Sequence, residues 1–148
     1  MIRNAIVGTA LIGAALSGSA SADEVWSTEI GDVIYEIDLE NGMAVLSYPT
    51  DGEARGRAYL SGLAGVYTGR TGYEGIWIEP EVDPETETDL CDVAMVAPDS
   101  GEASSNWGRV RVVFVDPDFP STFVAMRGDC FDEPSEMLVA RPVTAFSQ

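Results

Sequence analysis

Asp32-Val-Ile-Tyr-Glu-Ile-Asp-Leu-Glu40, Asn41-Gly42, Met43-Ala-Val-Leu-Ser-Tyr48 is the stretch on which the fold turns. Val33, Tyr35, Ile37 and Leu39 alternate with Ile34, Glu36, Asp38 and Glu40, the period of two of a half-buried strand. Asn-Gly is the preferred dipeptide of a two-residue type I′ hairpin. Such a loop pairs Glu40 with Met43. Leu39 is then expected opposite Ala44, Ile37 opposite Leu46 and Tyr35 opposite Tyr48, with apolar residues of both strands on one side.

The same grammar continues outward. Val25 to Ile30 reads as a strand before the hairpin. Gly56 to Glu79 interleaves six glycines with Tyr59, Leu60, Leu63, Val66, Tyr67, Tyr73, Ile76, Trp77 and Ile78. So many glycines argue against a helix and for short strands with bends. Pro80 to Asp89, with two prolines and five acids, is a loop. Further strands are expected at Cys91 to Ala97, Trp107 to Val115, Thr122 to Arg127 and Met137 to Arg141. No sustained helical periodicity occurs after residue 22. The expectation is an all-β domain, a small, mainly antiparallel β-barrel or sandwich of about eight short strands.

Residues 1–22 read as a secretory signal peptide. Arg3 supplies the positive start, Ala5 to Leu16 an apolar run too short to span a bilayer, and Ala20-Ser21-Ala22 a small-residue cleavage box. The remaining 126 of 148 residues, 23–148, are expected to form one domain, periplasmic or secreted, with no membrane span. In an oxidising compartment Cys91 and Cys130, the only two cysteines, are expected to pair. Asp92 and Asp129 beside them oppose a reactive thiolate.

Charge and absences narrow the function classes. The chain carries 8 basic and 25 acidic residues, net −17. With Arg3 removed the mature chain stands at −18. Nucleic acid, which needs clustered basic residues, is not expected as a partner, whereas a basic protein would be attracted. There is no His and no Lys, so Ser and Thr lack their usual activating bases and Schiff-base chemistry is closed. Glycoside hydrolysis needs only two carboxylates, but 25 acids make any pair uninformative. The acids of 83–89, Asp116 with Asp118, and Asp129, Asp132 and Glu133 suit calcium chemically, yet none follows an EF-hand pattern. No catalytic set, metal site or cofactor is therefore expected. Gly69, Gly72 and Gly75 are read as strand bends. Arg109 and Arg111, sharing a strand face, are expected to pair with acids on a neighbouring strand. The aromatics Trp26, Tyr59, Tyr67, Tyr73, Trp77 and Trp107 are read as core, with a barrel-mouth ligand pocket as the alternative.

Ser61-Gly-Leu-Ala-Gly-Val-Tyr67, followed by Gly75-Ile-Trp77, resembles the signature loop and Trp-bearing strand of the periplasmic C-type lysozyme inhibitors. The likeness covers under a fifth of the chain. Val66 stands where that family carries an Arg, and Ser61-Gly62 is out of register when the motifs are aligned on Tyr67. The family's later Lys and early Cys have no counterpart. The resemblance implies a small exported barrel whose loop enters a lysozyme cleft, with Ser61, Gly62, Gly65, Tyr67 and Tyr73 as partner-binding residues. The expected function is thus binding, not catalysis. The partner is a basic protein such as a lysozyme; the alternatives are a small molecule held in a β-barrel and a structural envelope protein with a Ca²⁺ site.

Overall fold

The computed structural model describes residues 24–81 and 90–144. The expected signal peptide and most of the acidic 80–89 loop lie outside the described residues. Ten strands occur in the order β1 (Val25–Thr28), β2 (Gly31–Asp38), β3 (Met43–Tyr48), β4 (Gly56–Ser61), β5 (Gly72–Ile78), β6 (Met95–Val96), β7 (Ala103–Ser104), β8 (Trp107–Phe114), β9 (Phe123–Arg127) and β10 (Glu136–Pro142). Eight of them form a closed antiparallel barrel in which every strand pairs with its barrel neighbour in sequence and β10 returns to β1. Closure removes the unpaired edges that an open sheet of these strands would expose. β6 and β7 pair with each other outside it.

Eight strands leave an interior about wide enough for side chains to fill. The period-two pattern fills it with Trp26, Val33, Tyr35, Ala44, Leu46, Tyr48, Ala58, Leu60, Trp77, Val110, Val112, Phe114, Phe123 and Ala140. A second apolar cluster lies outside the barrel wall. Val45, Tyr59, Ile78 and Trp107 point outward from β3, β4, β5 and β8 and are covered by the β5–β8 connection through Cys91, Met95 and Ala97. Three ties hold that cover: the Cys91–Cys130 disulfide, with Cα atoms 5.6 Å apart; the Trp107 indole N–H donating to the Val93 carbonyl at 2.8 Å; and Asp99, which receives the Tyr59 hydroxyl at 2.7 Å and pairs with Arg57.

Two expectations are corrected. The first concerns the hairpin. Gly42 has φ +85°, but Asn41 is not in the left-handed region, so the turn is not type I′. The Gly42 N–H donates to the Leu39 carbonyl at 3.0 Å and the Leu39 N–H to the Met43 carbonyl at 2.8 Å. This is a three-residue loop closed by a left-handed glycine, a common alternative to the two-residue hairpin. In addition, the register shifts between Tyr35 and Ile37, so that Tyr35 pairs with Leu46 and Ile37 with Val45. The extra residue, Glu36, flips the side-chain parity. Val33 and Tyr35 face the barrel interior, while Ile37 is exposed and Leu39 packs on the outer cluster.

The second correction is the strand expected at Cys91 to Ala97. Only Met95–Val96 is extended and paired. β5 and β8 bond directly to each other along seven residue pairs, from Gly72–Val113 to Ile78–Trp107. No position in the barrel ladder remains for 91–97, and the segment lies outside the barrel, paired with the 102–105 stretch.

Candidate functional site

The barrel's two ends differ in chemistry. At one end the β4–β5 loop, the β8–β9 loop and the start of β1 form a floor. The Arg70 guanidinium is fully buried there and holds the Glu24 carboxylate through two bonds of 2.8 and 2.7 Å. Its Nε donates to the Val66 carbonyl at 2.7 Å, and its carbon lies 4.8 Å from the Phe114 ring centre. The Trp26 indole donates to the Ser121 carbonyl at 2.7 Å. Above this floor Phe123 packs edge-on against both Trp26 and Phe114.

The residues singled out from the sequence as partner-binding lie at this closed end. Ser61, Gly62, Gly65 and Tyr67 are exposed. Leu63 between them is fully buried and anchors the loop into the barrel. Gly62 and Gly65 take φ values of +82° and +70°, which only glycine adopts at little cost. Tyr67 stacks edge-on with exposed Phe119 at 6.4 Å. Tyr73 is set apart from these: it is half-buried, with its ring edge-on to Phe114 at 5.8 Å.

The opposite end is open to a cavity of about 150 Å³ inside the barrel. Its walls are Val33, Leu46, Ala58, Val110, Val112, Phe123, Ala125 and Leu138, and Ile30 and Met137 stand at its mouth. Three aromatic and charged side chains close one side. The Arg127 guanidinium lies over the Trp77 indole at 3.8 Å and near the Tyr48 ring at 5.9 Å. Its Nη1 donates to Glu79 at 3.1 Å, and the Tyr48 hydroxyl donates to the same carboxylate oxygen at 3.1 Å. Burial, followed by the Glu79 charge, pushes the Tyr48 hydroxyl far above the usual tyrosine range, so it stays a donor. Two glycines make room for the rings: a Cβ at Gly56 would lie 2.5 Å from the Tyr48 ring, and one at Gly108 would lie 2.5 Å from the Trp77 indole nitrogen. The mouth also carries the carboxylates of Glu29 and Glu136. The Nε–H of Arg127 is buried and has no hydrogen-bond acceptor.

Of the six aromatics considered for a pocket, Trp77 lines the cavity and Trp26 is buried in the barrel core, while Tyr73 is partly buried against that core and Tyr67 is exposed at the closed end. Tyr59 and Trp107 belong to the outer cluster. The reading missed Arg127, Glu79 and Tyr48. A signal for Arg127 existed, because it follows Phe123 and Ala125 at period two and so continues the apolar face of β9. Arg111 pairs as expected with Glu74, its direct cross-strand neighbour, whereas Arg109 pairs at 3.2 Å with Glu133 of the β9–β10 loop rather than with an acid on a neighbouring strand. Asp118 and Asp116 accept loop N–H bonds from Gly69 and Thr122. Among the described residues no three acidic or cysteine side chains gather into a metal-holding group.

The open end thus offers an apolar sleeve and an aromatic wall. These are the elements of a small-molecule site. Comparison with family models, curated proteins and solved structures finds no match for this chain.

Proposed function

We propose that this chain is an exported binding protein that holds a small, slender apolar molecule in the open end of its barrel. One observation carries the reading: an eight-stranded barrel leaves a cavity of about 150 Å³ at one end while the other end is plugged by a buried ion pair. Barrels of this strand number either fill with side chains or hold one small ligand. A cavity of this size in an apolar interior takes a molecule of about benzene size. Export is supported by the formed disulfide and by the order of charge, apolar run and cleavage box in residues 1–22.

The test is binding of benzene-sized compounds, read by the Trp77 indole proton resonance, which reports the N–H donated to the Gly128 carbonyl at 2.8 Å. Ala125→Ile should fill the cavity and abolish the response while the far-ultraviolet spectrum stays that of the parent. An unchanged response in that variant would place any binding elsewhere.

A second reading is supported by the anchored loop at the closed end. Buried Leu63 holds exposed Ser61, Gly62, Gly65 and Tyr67 in a fixed arrangement suited to entering a cleft. The acidic surface would steer a basic partner such as a lysozyme towards it. Its test is inhibition of a C-type lysozyme in a cell-wall turbidity assay at low salt, with inhibition fading as salt rises. No inhibition at micromolar protein would remove it.

A further inference from the structure

We propose that the outer wall of β8, β9 and β10 is the interface of a weak dimer, with a second copy of this chain as its occupant. Residues of an antiparallel strand that face away from the core meet water and are polar as a rule. On β2 they include Asp32 and Glu36, both exposed. The wall of β8, β9 and β10 departs from that rule. Val113 pairs with Val124, and Val124 with Val139; in the adjoining row Arg111 pairs with Met126, and Met126 with Met137. Val115 extends the face beyond β8, its N–H donating to the Thr122 carbonyl at 2.8 Å. Val113, Val115, Met137 and Val139 are from 38% to 64% exposed, and Val124 and Met126 between them are part-buried. The apolar cluster on the other side of the outer wall lies under the β5–β8 connection. This one is left in water.

Charge selects the occupant. The chain holds 25 acids, yet none stands at an outward position of these three strands. Arg111 marks one corner of the face and Arg141 the opposite one. Arg111 is paired with Glu74, whereas Arg141 is exposed and has no ion pair among the described residues. A basic partner would be drawn to the acids elsewhere on the chain and would meet arginine here. An anionic bilayer would be repelled by the chain as a whole. A second copy supplies an equal apolar face and, at its rim, Asp116 beside Val115. Val115 and Arg141 lie one step beyond the Phe114–Phe123 and Phe123–Ala140 pairs, on either side of Thr122. A two-fold axis along β9 would therefore set Arg141 of each copy over Val115 and Asp116 of the other. The face is only three strands wide, at about 4.8 Å per strand. That is small against the roughly 800 Å² per partner of a standard interface, so the dimer is weak. Both copies are strongly negative, so their association tightens as salt screens the acids outside the face. Capture of a basic protein has the opposite salt dependence.

Sedimentation equilibrium of the mature protein, residues 23–148, tests this from micromolar to submillimolar concentration. It is run at about 0.01 M and about 0.15 M salt, where the Debye lengths are about 30 and 8 Å. The average mass should rise with concentration towards twice that of the monomer, and further at the higher salt. Backbone amide resonances that move with concentration should fall in 111–115, 122–126 and 137–141. Val139→Glu brings an unpaired carboxylate from each copy into the interface. That variant should keep the monomer's mass at every concentration, with the far-ultraviolet spectrum of the parent. Met137→Glu, at a more exposed position, should do the same and serves if Val139→Glu fails to fold. A parent protein that stays monomeric throughout would overturn the proposal. So would a dimer whose moving resonances lie elsewhere, or one that loosens as salt rises. Binding to neutral phosphatidylcholine vesicles by a chain that stays monomeric would overturn it too, and would assign the face to lipid.

Discussion

Arg70 and Glu24, 46 residues apart in sequence, form a fully buried two-point ion pair that plugs one end of the barrel. The arrangement explains how an acidic residue so close to the expected cleavage point is tolerated in the interior. Both partners leave water together, and two of the guanidinium's three remaining N–H groups are taken by the Val66 carbonyl and the Ser121 hydroxyl. Removing one partner strands the other charge in a low dielectric. Arg70→Met should therefore destabilise the protein by about 3–5 kcal/mol in urea unfolding, whereas the double variant Glu24→Gln with Arg70→Met should lose clearly less. A single variant as stable as the parent would show that the pair is wet and the plug open.

The disulfide should support the outer cluster more than the barrel. It closes a separation of 39 residues, for which loop entropy alone gives about 4 kcal/mol. The loop it closes contains β8 and β9, but because β5 and β8 pair directly, the barrel ladder does not pass through the cover around Cys91. Cys91→Ser should cost about 2–4 kcal/mol while the far-ultraviolet circular dichroism stays that of a barrel. Coincident denaturation curves for the variant and the parent would refute the first part, and a collapsed spectrum the second.

At the β2–β3 turn, Gly42 and Asn41 should respond unequally. Gly42 has φ +85°, and a Cβ there would meet nothing within 4 Å. The penalty of Gly42→Val is then backbone strain alone, about 1–3 kcal/mol. Gly42→Asn should recover much of it, since asparagine tolerates the left-handed region. Asn41 contributes one exposed bond, its side-chain oxygen accepting from the Met43 N–H at 3.1 Å. Asn41→Ala should cost no more than about 1 kcal/mol. A two-residue turn would instead make both positions sensitive, and thermal melts of the three variants decide between them.

Alkali should unfold the protein through its tyrosines. The hydroxyls of Tyr35, Tyr48 and Tyr59 hold their protons well above the ordinary value near 10. Burial is the main cause in each, and the carboxylates of Asp38, Glu79 and Asp99 beside them add to it. The unfolded chain releases these protons near pH 10 while the folded chain keeps them. The unfolded state then binds fewer protons, and stability falls as pH rises above about 10. Below that the contribution is fully present. The urea midpoint should be level up to about pH 9.5 and drop steeply beyond, with tyrosinate absorbance rising together with loss of β structure. A midpoint still level at pH 12 would contradict the burial of these rings.

Asp99 works in the opposite direction. Burial alone would raise its pKa, but the Tyr59 hydroxyl and the Arg57 guanidinium outweigh burial and hold it below the usual carboxylate range. Its contribution is present above about pH 4 and is lost as pH falls through the folded value. Asp99→Asn should therefore flatten the acid limb of the stability profile and, because the Asp99 carboxylate also raises the Tyr59 hydroxyl, make the alkaline limb somewhat shallower. An acid limb identical to the parent's would show that Asp99 titrates as it does in the unfolded chain.

How legible each part was follows from how local its cause is. Trp107–Phe114 alternates Arg109 and Arg111 with Val110, Val112 and Phe114 strongly enough to be read directly as a strand, Met43–Tyr48 follows from the turn residues Asn41-Gly42 before it, and the structure agrees on both. The face assignment of Val33 and Tyr35 against Ile37 and Leu39 failed because one bulged residue inverts parity, and alternation carries no mark of where a bulge falls. The segment 91–97 has strand composition, but joining the barrel depends on a free edge, which β5 and β8 denied it, and only Met95–Val96 pairs, in the small sheet with β7.

From its sequence alone this protein was determined to be all-β, antiparallel and organised in about eight short strands, with Cys91 paired to Cys130. Those features rest on side-chain period, turn residues and a count of two, all of which act over short range or leave no choice. Closure of the barrel, the plug of Arg70 on Glu24, and the meeting of Arg127, Trp77, Tyr48 and Glu79 at the open mouth were decided only in three dimensions. Each brings together residues tens of positions apart. Which of them meet depends on strand register and on the volume left inside the closed sheet, quantities that no single stretch of the chain contains.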